Sequence, residues 1–306
     1  MFGKRIINAG IILGTVAALA LGGVGVFAEE PTYEDIISDV SYIDDRDKNH
    51  MLDLYGTQSV SEPARTVVEV HGGGFIGGNK TTNTDHSIYY AEHGYVVATP
   101  DYSKLPNVTF KETIQELFTV YQWVEDHAEE YHFDTNNIFL SGDSAGGFYV
   151  LISAAIMVSP ELQEYFEVTP PSYAFKAYIA SCPAADVLSM REDLGASGPA
   201  GYTANTIGED ILMNDDLMSH LDLYSVIDPE TYPYVYMMST PEDKVTRTMV
   251  EKFEKFLTDN NIAHEFHDYE NQSNELLHVF NISNIDWEES IQANDDIIAF
   301  MDSRCE

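Results

Sequence analysis

The chain has 306 residues and carries 51 acidic against 15 basic side chains, a formal net charge of −36 at neutral pH. This charge argues against nucleic-acid partners and against attraction to an anionic membrane, because both need clustered Lys and Arg. The hydrophobic content of 44% still suffices for a large core, so the charge does not indicate disorder. Two cysteines exclude a disulfide scaffold.

The N-terminal segment has the pattern of an export signal. Lys4 and Arg5 precede an uncharged, mostly apolar run over 6–27, and Ala28 ends an A-x-A-like site. We expect residues 1–28 to be a secretory signal peptide cut after Ala28. An uncleaved anchor is the alternative, since about 20 apolar residues span a bilayer. The protein is therefore expected to be secreted or, as the alternative, membrane-anchored facing outside through this segment alone.

Residues 29–306 alternate short apolar runs with longer segments of helical character. This alternation predicts a single α/β domain with a mostly parallel central sheet flanked by helices. Two runs, 40–42 and 52–55, predict an antiparallel pair at the sheet edge. The inner strands are predicted at 66–70, 95–99, 138–141, 177–181, 234–239 and 264–269, and the helices at 84–93, 109–130, 144–157, 244–260 and 285–303. The weakly periodic segment 184–232 predicts a small cap within this domain.

The run Gly142-Asp143-Ser144-Ala145-Gly146-Gly147 follows a predicted strand and opens a predicted helix. A serine on so sharp a turn needs small neighbours, and its hydroxyl points away from the sheet, near the positive end of the helix. A plain tight turn would give the same G-x-S-x-G pattern. Because a strand precedes it and a helix follows, the context favours Ser144 as a catalytic nucleophile.

The run His71-Gly72-Gly73-Gly74-Phe75 directly follows the predicted strand 66–70. Glycines free the backbone to turn its N–H groups toward one point, where an oxyanion would form. Gly73 and Gly74, with Ala145 after the nucleophile, are the expected donors of an oxyanion hole. A phosphate-binding loop is excluded because neither G-x-G-x-x-G nor Gly-Lys-Ser/Thr is present. His71 is expected to brace the loop.

Together these two motifs resemble the α/β-hydrolase superfamily, and more narrowly its hormone-sensitive-lipase-like and acetyl-esterase-like carboxylesterases. The resemblance covers the chain from about residue 40 to the last helix. It implies an α/β-hydrolase fold, an oxyanion hole, ester hydrolysis and the chain order Ser, Asp or Glu, then His.

The resemblance also implies where the other two members of a triad lie. The family carries its acid in the loop after a late strand, where this chain has Glu242-Asp243-Lys244-Val245. Asp243 fits the family pattern of an Asp followed by one residue and Val or Leu, and Glu242 is the alternative. A glycine that the family usually has early in this loop is missing.

Three histidines come late enough to be the base. His264 and His267 fall within the predicted last strand, where structural roles are expected. His278 lies in the loop before the final helix and resembles the family's His-Gly-Phe, with Val in place of Gly. A loop at that end of the sheet lets an imidazole reach both the serine and the acid, so His278 is the predicted base.

Two other patterns are interpreted as structural. Asp45, Asp47 and Asn49 have the first spacing of a calcium loop, but no Glu closes it, so a polar turn is expected and no metal site is predicted. Cys182 and Cys305 are expected at opposite ends of the sheet, too far apart for a disulfide.

These features predict a secreted serine carboxylesterase that cleaves short-chain, acetyl-type esters with no cofactor. Short acyl chains are expected because the small, acidic segment 184–232 leaves little room for a large apolar entrance. The expected partner is a small-molecule or carbohydrate-linked ester substrate, and an acetylated carbohydrate is consistent with export. A peptidase or lipase of the same fold, or a non-catalytic hydrolase-like binding protein, remains open. The natural ester and the oligomeric state do not follow from the sequence.

Overall fold

The computed structural model describes residues 33–271 and 276–305. From Glu34 onward the chain forms one compact unit. The predicted signal peptide or anchor, residues 1–28, lies outside the described residues.

A single eight-stranded sheet in the described residues organises the fold. Its spatial order is β1-β2-β4-β3-β5-β6-β7-β8. In chain order the strands are β1 (Ile36–Ser41), β2 (Met51–Tyr55), β3 (Ala64–Val70), β4 (Val96–Pro100), β5 (Phe133–Asp143), β6 (Tyr178–Ser181), β7 (Val235–Ser239) and β8 (His264–Asp268). Every pair from β4 through β8 is parallel, whereas β2 runs antiparallel to β1 and β4. The predicted, mostly parallel sheet with an antiparallel pair at its edge is confirmed.

Helices flank this sheet, as predicted. They are α1 (Thr84–Glu92), α2 (Phe110–Asp126), α3 (Ala128–Tyr131), α4 (Ser144–Val158), α5 (Pro160–Phe166), α6 (Pro199–Ile207), α7 (Glu209–Leu212), α8 (Asp215–Leu221), α9 (Leu223–Val226), α10 (Arg247–Asp259), α11 (Phe280–Ser283) and α12 (Glu288–Asp302). Short 3-10 helices cover Lys48–His50 and Val187–Asp193. The segment 184–232, predicted as a cap, holds α6 to α9.

Three predicted helices have different bounds in the structure. The helix expected over 109–130 is interrupted at His127, whose backbone leaves helical geometry (φ −111°, ψ 16°). The helix expected from 244 begins at Arg247, because the Asp243 carboxylate takes the N–H groups of Val245 and Thr246 in a turn. The last helix begins at Glu288 rather than at 285, after an extended residue.

Local chemistry explains where the principal helices begin. α2 starts with a reciprocal capping box between Thr109 and Glu112. α5 was not predicted from the sequence. It begins with a Ser159 cap and with Pro160 in its first turn, two signals that favour a helix start. α4 is buried from Ala145 through Ile156, because it packs against β5 and β6.

Two inner strands of the sheet are buried along their whole length. β4 and β7 consist of buried residues throughout, as expected for parallel strands covered on both faces. Within the described residues no single helix combines the length and apolar character needed to cross a bilayer. The bent pair α4 and α5, at 117° to each other, meets the requirement by length and composition only.

Candidate active site

Ser144 stands at the junction of β5 and α4, as the first residue of the helix. Its backbone has φ +52°, a strained conformation for a residue with a side chain. The turn is tight because α4 approaches β3 closely: a Cβ on Gly146 would lie 2.0 Å from the Val70 carbonyl oxygen. The strain and the close approach hold the hydroxyl at the carboxyl edge of the sheet.

His278 and Asp243 complete a line of hydrogen bonds that begins at this serine. His278 Nε2 lies 2.9 Å from Ser144 Oγ, and His278 Nδ1 lies 2.9 Å from Asp243 Oδ2. The imidazole is 19% exposed and the Asp243 carboxylate is fully buried, so only the serine end of the line is open to a substrate. With Nδ1–H donating to the carboxylate, Nε2 is free to accept the proton of the serine hydroxyl.

The Asp243 carboxylate is held in place by several donors. The N–H groups of Val245 and Thr246 donate to Oδ1 at 2.7 and 3.1 Å, and the Thr246 hydroxyl donates to Oδ2 at 2.7 Å. Burial by itself raises the pKa of Asp243, but the hydrogen bond and charge of His278, with these donors, outweigh burial and lower the pKa to about 2. The carboxylate is therefore ionised at neutral pH.

The other acid and base candidates lie elsewhere. Glu242 lines a small cavity of about 140 Å³ beside Glu270. His264 Nδ1 lies 2.7 Å from the Ile262 carbonyl oxygen, in an edge strand. The His267 ring stacks on Tyr236 at 4.8 Å. Of the alternatives considered from sequence, the geometry brings only Asp243 and His278 to Ser144.

The loop that carries Asp243, residues 240–246 (the acid loop), keeps its shape without the glycine that the family usually has. The Thr240 hydroxyl donates to the Leu276 carbonyl oxygen at 3.2 Å and so ties the acid loop to the segment just before His278. The Asp243 N–H closes a turn on the Thr240 carbonyl oxygen at 3.1 Å. A threonine side chain thus couples the positions of the acid and the base.

The glycine loop (residues 71–75) lies next to the turn that carries Ser144. Gly73 has φ +125°, and a Cβ there would lie 2.2 Å from the Gly77 carbonyl oxygen, so only glycine fits. Gly72 N–H donates to Asp143 Oδ1 at 2.9 Å, which links this loop to the residue before Ser144. Within the described residues, the N–H groups of Gly73, Gly74 and Ala145 have no acceptor. These three donors are available to a ligand.

His71 and Tyr102 support the glycine loop from below. His71 is completely buried, and its ring stacks on Tyr102 at 4.3 Å with 9° between the planes. The Tyr102 hydroxyl donates to the His71 carbonyl oxygen at 2.7 Å. The expected bracing role of His71 agrees with this packing, and Tyr102 is a structural residue.

A buried polar network that was not predicted from the sequence lies beneath the site. Asn83 Nδ2 donates to Asp143 Oδ1 at 2.8 Å and to Glu69 Oε1 at 3.5 Å. His86 Nδ1 lies 2.5 Å from Glu69 Oε1, and its Nε2 lies 3.2 Å from Asn294 Oδ1. The available signal was Glu69 itself, an acid inside an otherwise apolar strand, because a buried carboxylate requires partners.

Both cysteines are free, in agreement with the expectation of no bridge. In the described residues, Cys182, Asp243 and His278 form a group whose candidate metal-ligand atoms lie within 4.8 Å of one another. Burial, and then the Asp243 charge, raise the pKa of the Cys182 thiol. A protonated thiol is a poor metal ligand, and the other two members already bond to each other.

The sheet order, the serine at the β5–α4 turn and the histidine after the last strand define an α/β-hydrolase. The chain belongs to the BD-FAE family, whose model matches residues 52–257. It is 36% identical over 102 residues to an acetyl esterase from Salmonella typhi, an alignment that covers 33% of this chain. The chain thus spans about a third (31%) of the length of the curated relatives it matches.

Solved structures extend the comparison to most of the chain. Esterase B from Lactobacillus rhamnosis is 26% identical, with a TM-score of 0.80 over 90% of this chain and 88% of that one. A truncated carbohydrate esterase from gut microbiota is 15% identical, with a TM-score of 0.70 over 90% of this chain and 98% of that one, and it shares the fold. The resemblance to α/β-hydrolases of the hormone-sensitive-lipase-like and acetyl-esterase-like branch is confirmed.

Proposed function

We propose that the chain is a serine carboxylesterase that hydrolyses short-chain acyl esters, with Ser144 as nucleophile, His278 as general base and Asp243 as the residue that orients the imidazole. One observation carries the proposal: the continuous line from Ser144 Oγ through the His278 ring to Asp243, with 2.9 Å at both steps. The esterases among the relatives support the same reaction class.

The mechanism follows from the protons that this line can move. His278 Nε2 takes the Ser144 hydroxyl proton as Oγ attacks the ester carbonyl carbon, and the carbonyl oxygen becomes an oxyanion. The N–H groups of Gly73, Gly74 and Ala145 stabilise that charge. In a known enzyme, one such donor lowers the activation barrier by about 3–4 kcal/mol. His278 then protonates the departing alcohol, which leaves an acyl-enzyme on Ser144.

Water completes the cycle by the same route. His278 removes a proton from water, and the hydroxide attacks the acyl carbon. The second tetrahedral intermediate collapses to release the acid, while Ser144 Oγ regains its proton from His278. The residues of this chain supply every proton transfer, and the proposal requires neither a metal ion nor an organic cofactor. Lactobacillus rhamnosis Esterase B is also known in a form inhibited by a tributyrin phosphonate.

A first test removes the nucleophile. Ser144→Ala should lower kcat/KM for p-nitrophenyl acetate by at least about 10⁴-fold, because no other group can form the acyl-enzyme. Ser219→Ala, a surface serine, is the control and should keep full activity. Unfolding curves of both variants check the fold. Unchanged turnover, or undiminished fluorophosphonate labelling, in folded Ser144→Ala would overturn the assignment of the nucleophile. A wild-type protein that fluorophosphonate fails to label at Ser144 would favour a binding protein.

The neighbouring acids provide a matched pair for the orienting role. Asp243→Asn should reduce kcat by about 10³-fold or more, because an amide favours the wrong imidazole tautomer. Glu242→Gln makes the same chemical change one residue away and should leave kcat nearly unchanged. Equal losses in the two variants would contradict the assignment of Asp243.

Short acyl chains are proposed because a helix of the acidic insertion 184–232 packs beside the glycine loop. A Cβ on Gly74 would lie 3.5 Å from the Thr203 methyl group, so α6 packs beside the proposed oxyanion hole. Asp186, Glu192, Asp193, Glu209 and Asp210 add charge to the same insertion. A series of p-nitrophenyl esters should show kcat/KM falling as the acyl chain lengthens beyond butyrate. A rise toward long chains would indicate a lipase, and cleavage of peptide amides would indicate a peptidase.

Export is proposed from residues 1–28, which carry Lys4 and Arg5 before an uncharged, mostly apolar run. Expression of the full chain in a bacterium should release an enzyme whose first residue is Glu29. N-terminal sequencing of the protein in the culture medium checks the cut. A full-length product in the membrane fraction would support the anchored alternative instead.

A further inference from the structure

Three positive side chains line one open cleft in this otherwise strongly acidic protein. The cleft has a volume of about 610 Å³. Besides Arg46, Lys48 and Lys80, its walls include Asn79, Thr81 and two acids, Asp39 and Asp101. In a chain of net charge −36, with 15 basic residues in all, this convergence of cations calls for a physical reason.

The three cations differ in their partners: Lys80 is paired with two carboxylates, whereas Arg46 and Lys48 have none among the described residues. Lys80 Nζ contacts Asp53 Oδ1 at 2.5 Å and Asp39 Oδ1 at 3.0 Å, and an ammonium has one further N–H to donate. The side chains of Arg46 and Lys48 make no hydrogen bond or ion pair with the described residues. Acidic groups are abundant throughout the chain, so a shortage of partners does not explain why these two cations are free.

Local acids near the cleft are already engaged. Asp45 Oδ2 accepts from His50 Nδ1 at 2.6 Å, and Asp47 Oδ1 accepts from the Asn49 N–H at 2.9 Å. Asp101, which also lines the cleft, forms an ion pair with Lys104. Asp39, the other acid of the cleft, is paired with Lys80. Arg46 and Lys48, both exposed, therefore line the cleft without a carboxylate partner among the described residues.

The cleft lies at the edge of the sheet that also carries Ser144. Met51 begins β2, and its carbonyl oxygen accepts from the Asp101 N–H at 2.8 Å, directly after β4. Asp101 in turn lies 3.6 Å from His71 Nε2, below the glycine loop. β4 is separated from β5 by β3 alone, which places the end of β4 about 10 Å from the end of β5. An extended substrate can reach from one to the other.

We propose that this cleft binds the carboxylate of an acidic sugar, a uronic acid, in the alcohol part of the substrate. The proposal rests on the esterase function proposed above and identifies the substrate class as acidic saccharide esters. The Arg46 guanidinium offers two parallel N–H donors that match a carboxylate, and Lys48 adds a second positive charge. The polar side chains of Asn79 and Thr81 suit the hydroxyl groups of a sugar.

Binding is tested on the full chain with Ser144→Ala, so that no substrate is consumed. The probes are a trisaccharide with one glucuronic acid and the same trisaccharide with that carboxylate as its methyl ester. Calorimetry at low salt should show at least 10-fold tighter binding of the acid. Equal binding of the two, or equal binding of inorganic phosphate, would overturn the proposal.

Variants locate the site. Arg46→Gln with Lys48→Gln should reduce affinity for the acidic trisaccharide at least 10-fold and leave affinity for its methyl ester unchanged. Lys255→Gln alters an exposed lysine of α10 and is the charge control, expected to bind like the parent. Undiminished binding by the double variant would place the carboxylate elsewhere and overturn the proposal.

Activity separates this inference from the esterase assignment. With Ser144 intact, the double variant should keep its kcat/KM for p-nitrophenyl acetate and lose selectivity for an acetylated uronic acid over its acetylated methyl ester. If p-nitrophenyl acetate is cleaved but the acidic sugar is never preferred, the cleft proposal alone is wrong. If the acidic sugar binds but no ester is cleaved, the esterase proposal alone is wrong.

Discussion

At the scale of single residues, the Asp243 carboxylate shows how buried charge is stabilised at the site. Its oxygens accept from two backbone N–H groups and the Thr246 hydroxyl and also face the His278 ring. Each donor favours the ionised form, and together they outweigh the cost of burial. The orientation of the imidazole depends on this charge, because a protonated carboxyl would lose the bond that selects the tautomer.

The lowered pKa of Asp243 predicts how stability changes with pH. The pKa falls from an ordinary value of 3.8 to about 2 in the folded state, a contribution to the free energy of unfolding of about 2 kcal/mol. Because the folded-state pKa is depressed, this contribution is complete above about pH 4 and is lost as the pH falls toward 2.

Urea unfolding from pH 6 down to pH 3 tests this prediction. The advantage of the wild type over Asp243→Asn should shrink as the pH falls. Ser144→Ala removes no charge, so its difference from the wild type should stay constant over the same range. A difference between wild type and Asp243→Asn that does not change with pH would contradict the lowered pKa.

At the scale of elements, the site depends on four loops that leave the same edge of the sheet. β3 delivers the glycine loop, β5 delivers Ser144, β7 delivers Asp243 and β8 precedes His278. The carboxyl ends of parallel strands share one edge, so loops far apart in sequence meet there. The close contact between α4 and β3 holds the first two of these loops together.

Gly146 tests that contact. A methyl group there would lie 2.0 Å from the Val70 carbonyl oxygen and 2.6 Å from that of His71, both backbone atoms at the end of β3. Gly146→Ala should therefore reduce the free energy of unfolding by about 3 kcal/mol and lower activity as the turn shifts. Gly77→Ala is the control, since its nearest atom would be at 3.5 Å, an ordinary contact. Equal stabilities in urea would contradict the packing described for α4.

At the scale of the whole molecule, the charge of −36 acts in two ways. Over long distances it repels anions and also the protein's own acidic groups. Within the cleft, the unpaired cations Arg46 and Lys48 act at contact distance, where screening by salt is weaker than between distant surface charges. An acidic ligand can thus bind locally to a protein whose overall field opposes its approach.

Self-repulsion makes stability depend on salt. Raising NaCl from about 0.01 to about 0.2 M should increase Tm by several degrees, because screening removes repulsion among the acids. A variant with Glu62, Glu164 and Glu230, all exposed, changed to Gln should show a smaller increase. Differential scanning fluorimetry measures both. A Tm that falls or stays constant with added salt would show that net repulsion does not limit stability.

The sequence by itself determined the class of fold and where the motifs lie on it. Apolar runs over 66–70 and 234–239 indicated buried parallel strands because side chains covered on both faces must be apolar. The glycines around Ser144 and at Gly73 identified the turn and the loop. A Cβ on Gly146 would collide with the Val70 carbonyl oxygen, and Gly73 has a positive φ that larger residues rarely adopt. These are local constraints, and local constraints can be recognised in a linear chain.

Only the tertiary structure decided which distant side chains meet. Asp243 and Glu242 are adjacent in sequence, and it is the turn closed by Val245 and Thr246 that aims Asp243 at His278. Glu69 likewise meets His86 because α1 packs against the sheet, and the unpaired cations of the cleft come together because loops converge at one edge of the sheet. Side-chain contacts across more than a hundred residues follow from strand order and packing, which no local pattern contains.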